Sequence, residues 1–292
     1  MDMNPWGAMV DWLLEPLAFE FMQRGLLIAA VVGIICALVG CYIVLRGMAF
    51  LGDALAHAIL PGLAVGYLVS AGDRGTLFWW ALGTAVVTSV GIGALSRGVR
   101  IKQDTAIGIV FAGMFALGIA LISTVRNYAV DLTHFLFGNV LGVTRADLWL
   151  TAGVGVAVLV IIFFFYKEFL VLSFDPTLVT TLRLPARTLE VLLSILMAVA
   201  IVVSLQTVGV ALVVALLVTP AAAASLVTKN LRSMMFLASV IAAGSGVIGL
   251  YASYYLNVAS GAAIVLTCTF FFILIWFGKS VMRKVKGLPV NN

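Results

Sequence analysis

The chain has 292 residues, of which 63% are hydrophobic and only 10% charged, with a formal net charge of +5 and a mean hydropathy of +1.20. Soluble globular domains carry about 45–50% apolar and about 25% charged residues, so this composition excludes a water-soluble enzyme or nucleic-acid-binding domain. It predicts an all-α, polytopic helical membrane protein with one membrane domain over 1–292. The basic residues gather in short loops and do not alternate with stacking aromatics, which speaks for membrane orientation and against nucleic acid.

In chain order, residues 1–23 hold Asp2, Asp11, Glu15 and Glu20 and no Lys or Arg. A secretory signal needs a basic leader, so none is expected. Trp6, Trp12, Leu13, Leu14, Leu17 and Phe19 suit one side of a short interfacial helix within 1–22. Nine spans are expected near 25–45, 52–70, 76–96, 105–124, 147–166, 189–205, 208–227, 233–252 and 259–278. The sixth and seventh lie close enough to read as one broken pair, so eight is the alternative. With the N-terminus outside and nine spans, the inner segments carry Arg46, Arg97, Arg100, Lys102, Lys167, Arg183, Arg187, Lys229, Arg232, Lys279, Arg283, Lys284 and Lys286. Only Arg24, Arg74, Arg126 and Arg145 remain outside. The positive-inside rule therefore predicts an outer N-terminus and a cytoplasmic C-terminus.

Two loops are longer than a connection needs. The outer one, about 125–146, contains Tyr128, Asp131, His134 and Phe135-Leu136-Phe137 and is expected to hold a re-entrant or surface helix. The inner one, about 167–188, contains Asp175-Pro176, an N-cap followed by a first-turn proline, and Pro185 as a stop. A short cytoplasmic helix is expected there. Cys36, Cys41 and Cys268 fall in apolar stretches without a CxxC or Cys/His pattern and read as small buried hydrophobes. Mid-span glycines such as Gly108, Gly113, Gly244, Gly246 and Gly249 read as close helix contacts. Gln206, Thr219 and Asn257 read as helix–helix hydrogen-bonding groups.

The acidic residues point to the chemistry. Most of the 12 fall in loops or at span ends, but Asp53 lies inside the second span with His57 four residues on. An intramembrane carboxylate costs about 2.5–3.5 kcal/mol on insertion scales and normally faces a partner or an ion path. The i, i+4 spacing puts both side chains on one helical face, and an oxygen/nitrogen pair suits Mn²⁺, Fe²⁺ or Zn²⁺. Pro61-Gly62 follows within a turn, and a helix break there would free carbonyls beside the pair. The competing readings are that Asp53 pairs only with His57, or with Arg46. Asp53 lies about two turns beyond Arg46, so a gate or transit site fits as well as a central one. Gly278-Lys279-Ser280 lacks the first P-loop glycine, because position 273 is Ile. Ala243-Gly244-Ser245-Gly246 admits an intramembrane hydrolase with His57 as base. No HExxH occurs.

These residues also carry a resemblance. Val44-Leu45-Arg46-Gly47-Met48, Gly52-Asp53-Ala54, His57-Ala58, Leu60-Pro61-Gly62, Asp104-Thr105-Ala106-Ile107-Gly108-Ile109 and Asp131-Leu132 through Leu136-Phe137-Gly138-Asn139 occur in order. Ser173-Phe174-Asp175, Gln206, Val208-Gly209, Leu217-Val218-Thr219-Pro220-Ala221 and Gly261 through Leu266 follow. From about Gln23 to Gly278 the chain resembles the permease subunit of ATP-binding-cassette importers for manganese, zinc and iron, most closely the manganese-type branch. One departure is Ala56, where many members carry Ser before the motif histidine. The resemblance implies a non-enzymatic permease in a prokaryotic plasma membrane, with two copies forming the pore as a homodimer. It also implies two cytoplasmic ATPase subunits, an extracytoplasmic metal-binding protein, surrounding lipid, and no permanently bound cofactor. The divalent metal is cargo. Asp53 and His57 are implied as its ligands in the path, with Asp131 and His134 at the outer mouth. Phe174, Asp175, Pro176, Leu182, Leu184 and Pro185, within 174–187, are implied as the segment coupling to the ATPase. A permease for a metal chelate, a secondary transporter and the hydrolase are the alternatives.

Overall fold

The computed structural model describes residues 14–70, 74–124, 140–174 and 176–285. Among these residues every regular element is helical. The helices are α1 (Glu20–Leu45), α2 (Leu51–Ala58), α3 (Leu60–Ser70), α4 (Arg74–Val99), α5 (Gln103–Ile122), α6 (Arg145–Phe164), α7 (Tyr166–Phe174) and α8 (Pro176–Thr181). They continue with α9 (Ala186–Val208), α10 (Val210–Val227), α11 (Leu231–Leu256) and α12 (Ser260–Val285). Nine membrane spans are present by length and hydropathy among the described residues, with α2 and α3 together forming the second. Helices dominate because hydrocarbon offers no hydrogen-bond partner, so each backbone amide must be satisfied within its own segment.

Local chemistry sets the ends and breaks. Thr144 and Asp147 form a capping box at the start of α6, the Asp147 N–H donating to Thr144 Oγ1 at 3.2 Å and the Thr144 N–H to Asp147 Oδ2 at 3.1 Å. Asn230 caps α11 by accepting from the Ser233 N–H at 2.9 Å. The second span breaks between α2 and α3, at Ile59. Pro61 has no N–H to donate back to His57, and its ring crowds that carbonyl. The sixth and seventh spans are separate helices, α9 and α10, parted at Gly209 alone, which resolves the choice of nine over eight.

The inner loop holds two short helices where one was expected. α7 follows α6 after a single residue, and α8 runs from Pro176 to Thr181. α8 stops before Pro185: Arg183 adopts a left-handed conformation at φ 54°, and the Leu184 N–H donates to the Val179 carbonyl at 3.1 Å. That is the Schellman termination. Pro185 instead precedes the first turn of α9. The first span begins earlier than expected, at Glu20, where the Glu20 carboxylate accepts from Arg24 one turn on at 2.5 Å. Of the proposed N-terminal interfacial helix, residues 1–13 lie outside the described residues and Pro16–Ala18 form a 3₁₀ turn. Of the outer loop, 125–139 lie outside them and Val140–Gly142 form a 3₁₀ turn.

α1 is the central post. It packs against α10 and α11 on one side and α6 and α9 on another, while α12 closes over α10 and α11. A second group, α2 to α5, joins this one through α9, which touches α1, α2, α4 and α6. The closest approach is at Gly40, where a Cβ would fall on the Leu217 carbonyl oxygen of α10, so only glycine lets these backbones meet. α5, α6 and α12 bury just 17%, 22% and 17% of their apolar windows. Their remaining faces are available to lipid or to another chain.

Candidate functional site

The site is built on the turn that follows α1. Gly47 takes φ 67°, a left-handed conformation that L side chains resist. The Met48 N–H donates back to the Ile43 carbonyl at 3.0 Å, which returns the chain along α1 and delivers α2 into the bundle. Gly52 then lies beside Leu217 and Val214 of α10. His57 packs against Phe111 and Phe115 of α5, with ring centroids at 6.0 Å and 5.6 Å. Leu217, Phe111 and Phe115 are all mid-helix residues, so the Asp53/His57 pair sits near the middle of the bundle. That is deeper than the short separation from Arg46 in sequence indicates.

The two side chains converge. His57 Nε2 lies 3.6 Å from Asp53 Oδ1, with the side chains 29% and 36% exposed. An ion about 2.1 Å from each atom would see them at roughly 110–120°, a workable ligand angle. The other ring nitrogen, His57 Nδ1, is buried without a hydrogen-bond partner. Phe50, which stacks edge-on against Phe111 at 5.5 Å, extends the aromatic wall beside the pair. Within one chain the described residues contain no cluster of three or more His, Cys, Asp or Glu side chains placed to hold a metal. Among the described residues, Asp53 and His57 alone could therefore not fill a coordination shell; solvent, backbone or another chain would have to complete it.

Arg46 does not pair with Asp53. Its Nη2 donates to Glu190 Oε1 at 2.9 Å, while Arg97 Nη1 donates to Glu190 Oε2 at 2.6 Å and Gln103 Nε2 to Glu190 Oε1 at 3.4 Å. This cluster ties together one end of α1, α4, α5 and α9. Burial lowers the Arg46 guanidinium below its ordinary range, the Glu190 carboxylate opposes that shift, and neighbouring Arg97 adds to it. Glu190 was not singled out from the sequence, where it reads as an ordinary span-end acid; its partner Arg46 is 144 residues away. At the opposite end of the bundle, Arg145 Nη2 donates to Glu20 Oε1 at 2.5 Å. The two polar clusters therefore sort the helix ends into two layers, and the layer with Arg46 also holds most of the basic residues.

The remaining expected residues divide. Asp131, His134 and Asp175 lie outside the described residues. Pro176 opens α8. Around α8, Phe174 and Leu182 are exposed while Val179 is buried; Leu184 is half-buried and Pro185 exposed. α8 thus turns Val179 inward while exposed apolar residues flank it at both ends. The hydrolase arrangement is absent: Ser245 is buried and donates to the Ile241 carbonyl of its own helix at 2.7 Å, and His57 faces Asp53.

A family model described as "ABC 3 transport family" matches residues 18–279. The manganese transport system membrane protein MntC of Halalkalibacterium halodurans is 46% identical over 261 residues, covering 89% of this chain and 88% of the relative. A probable iron transport system membrane protein of Haemophilus influenzae is 42% identical and covers 91% of this chain and 96% of its own. Among solved structures, PsaBC from Streptococcus pneumoniae in complex with Fab superposes with a TM-score of 0.80 at 40% identity, covering 95% of this chain and 99% of that one. The fold and these matches agree along nearly the whole length: the chain is a multi-pass transport component, not an enzyme, and it belongs to the ABC 3 transport family.

Proposed function

We propose that this chain is the permease subunit of an importer that carries Mn²⁺ across a prokaryotic plasma membrane, with Asp53 and His57 as transient ligands in the path. The observation that carries this reading is the oxygen/nitrogen pair 3.6 Å apart at mid-bundle, where an intramembrane carboxylate is costly and normally faces a partner or an ion path. The manganese-named relative supports the choice of cargo. The orientation follows from charge: the layer with Arg46, Arg97, Lys167, Lys229 and Lys279 is cytoplasmic. Two copies form the pore, and a half-exposed pair on each contributes to one ion. The thinly buried α5 beside the pair is a fitting contact face. On the cytoplasmic side, 174–187 receives two ATPase subunits through Phe174, Asp175, Pro176, Leu182, Leu184 and Pro185. An extracytoplasmic binding protein delivers the ion, with Asp131 and His134 at the mouth.

Ligation by few groups keeps binding weak enough for release. A second reading, Fe²⁺ as cargo, is favoured by the iron-named relative. Reconstituted with its ATPase subunits and binding protein, the permease is expected to take up radioactive Mn²⁺, with Fe²⁺ and Zn²⁺ as weaker competitors. Asp53→Asn and His57→Ala each lower that uptake by roughly a hundredfold. Normal uptake by either variant at equal expression rejects the site. Stronger competition by Fe²⁺ than by unlabelled Mn²⁺ moves the cargo to iron.

A further inference from the structure

A cavity of about 660 Å³ opens at the basic end, between α7 and the start of α11. Lys167, Lys229 and Arg232 line it, together with Tyr166, Leu170 and Phe174. No carboxylate lines it, and none of the three cations forms an ion pair among the described residues. The cavity is organised as well as charged, since the Arg232 guanidinium sits over the Tyr166 ring at 5.5 Å. The floor is the N-terminal turn of α11. Its cap, Asn230, accepts only from Ser233, which leaves the Leu231 and Arg232 amides without an intrahelical partner. Three cations and a helix N-terminus around one hollow select an anion with several acceptor oxygens.

The surroundings select a lipid as the source of that anion. Phe163 and Phe164 at the end of α6, and Phe236 and Val240 one and two turns along α11, are all exposed large apolar residues. By helical spacing Phe236 and Val240 fall on the Arg232 face of α11, and Phe163 and Phe164 end the span that leads into Tyr166, so acyl chains would lie along these residues. Leu170 and Phe174 make the inner wall apolar. A basic hollow at the cytoplasmic surface with an apolar ladder beside it matches an anionic amphiphile.

We propose that this cavity is a binding site for the phosphate headgroup of an anionic phospholipid, held by Lys167, Lys229 and Arg232. It borders α8 through Phe174, so an occupied site would brace the segment assigned to ATPase docking. The site rests on the cytoplasmic assignment of this end and is independent of the cargo ligands.

The test uses the permease with its ATPase subunits in nanodiscs of phosphatidylcholine with added phosphatidylglycerol, and native mass spectrometry to count retained lipid. Phosphatidylglycerol is expected to be retained over phosphatidylcholine. Each cation removed weakens retention by about fivefold, so the Lys167→Ala, Lys229→Ala, Arg232→Ala triple variant loses it. The Arg100→Ala, Lys102→Ala control at the same end keeps it. Lys167→Gln alone supplies a milder variant should the triple one fail to assemble. Equal retention by wild type and variants overturns the proposal. Displacement of the lipid by inorganic phosphate also overturns it, by making the site one for free anions. Loss of the ATPase subunits with lipid retention unchanged overturns it by assigning the cavity to a protein partner. Retention is read without metal, so failure of the Mn²⁺ reading leaves this result standing.

Discussion

Glu190 shows how a single residue can carry more than its sequence setting indicates. Its carboxylate accepts from Arg46, Arg97 and Gln103, and the Arg46 side chain is only 9% exposed. Removing the negative charge leaves a buried guanidinium uncompensated, which costs far more than the intact pair contributes. Glu190→Gln is expected to destabilise the permease by about 3 kcal/mol, read as a lower melting temperature in detergent. Adding Arg46→Met to Glu190→Leu should recover part of that loss, because an apolar pair needs no counter-charge. Equal stability of Glu190→Gln and wild type would mean that water already satisfies Arg46. Glu190 also stands near the start of α9, a few residues past the segment 174–187. Its partner Arg46 stands at the turn leading to the Asp53 helix. The cluster is thus one side-chain link between those two regions.

At the level of the helix, backbone proximity governs. α1 meets α10 where Gly40 lies against the Leu217 carbonyl, and the same leucine's side chain flanks Gly52 at the base of the Asp53 helix. A side chain at position 40 must push α10 away and disturb α2 with it. Gly40→Val is expected to cost about 3 kcal/mol or to abolish folded protein. Gly153→Ala on α6, where a Cβ meets open space, should leave the melting temperature unchanged. A melting temperature for Gly40→Val equal to that of Gly153→Ala would show that the α1–α10 contact does not set the effect. The break at Pro61 belongs to the same scale. It divides the second span so that the half with Asp53 and His57 is a short helix held by α5, α9 and α10, and not a continuous rod.

For the whole molecule the ligand count is decisive. One chain brings Asp53 and His57 together, and no third His, Cys, Asp or Glu joins them among the described residues. On the reading proposed above, the pair on a second copy supplies further ligands to a divalent ion that takes four or more. The reconstituted complex is expected to bind one Mn²⁺ per pair of permeases, measured by elemental analysis against protein concentration. Binding of one ion per permease would place a complete site within each chain and remove the reason for a shared one. The exposed faces of α5, α6 and α12 accord with an assembly, since a helix that buries so little of itself meets either lipid or a partner.

Much of this was legible in the sequence. Nine spans followed from apolar runs about as long as a bilayer is thick, because hydrocarbon dictates helix and hydrophobicity marks it. The break at Pro61 and the shared face of Asp53 and His57 followed from proline geometry and the helical repeat, both local properties. The relative arrangement of the spans was not legible. Helices in lipid have no hydrophobic stripe to show which neighbour they face, so the central place of α1, the Arg46–Glu190 pairing and the grouping of Lys167 with Lys229 and Arg232 emerged only from packing. The depth of the Asp53/His57 pair belongs with these, since it depends on how the Gly47 turn folds the chain back into the bundle. Local covalent geometry and solvent preference determined the elements, and the contacts between distant segments decided where their few polar groups meet.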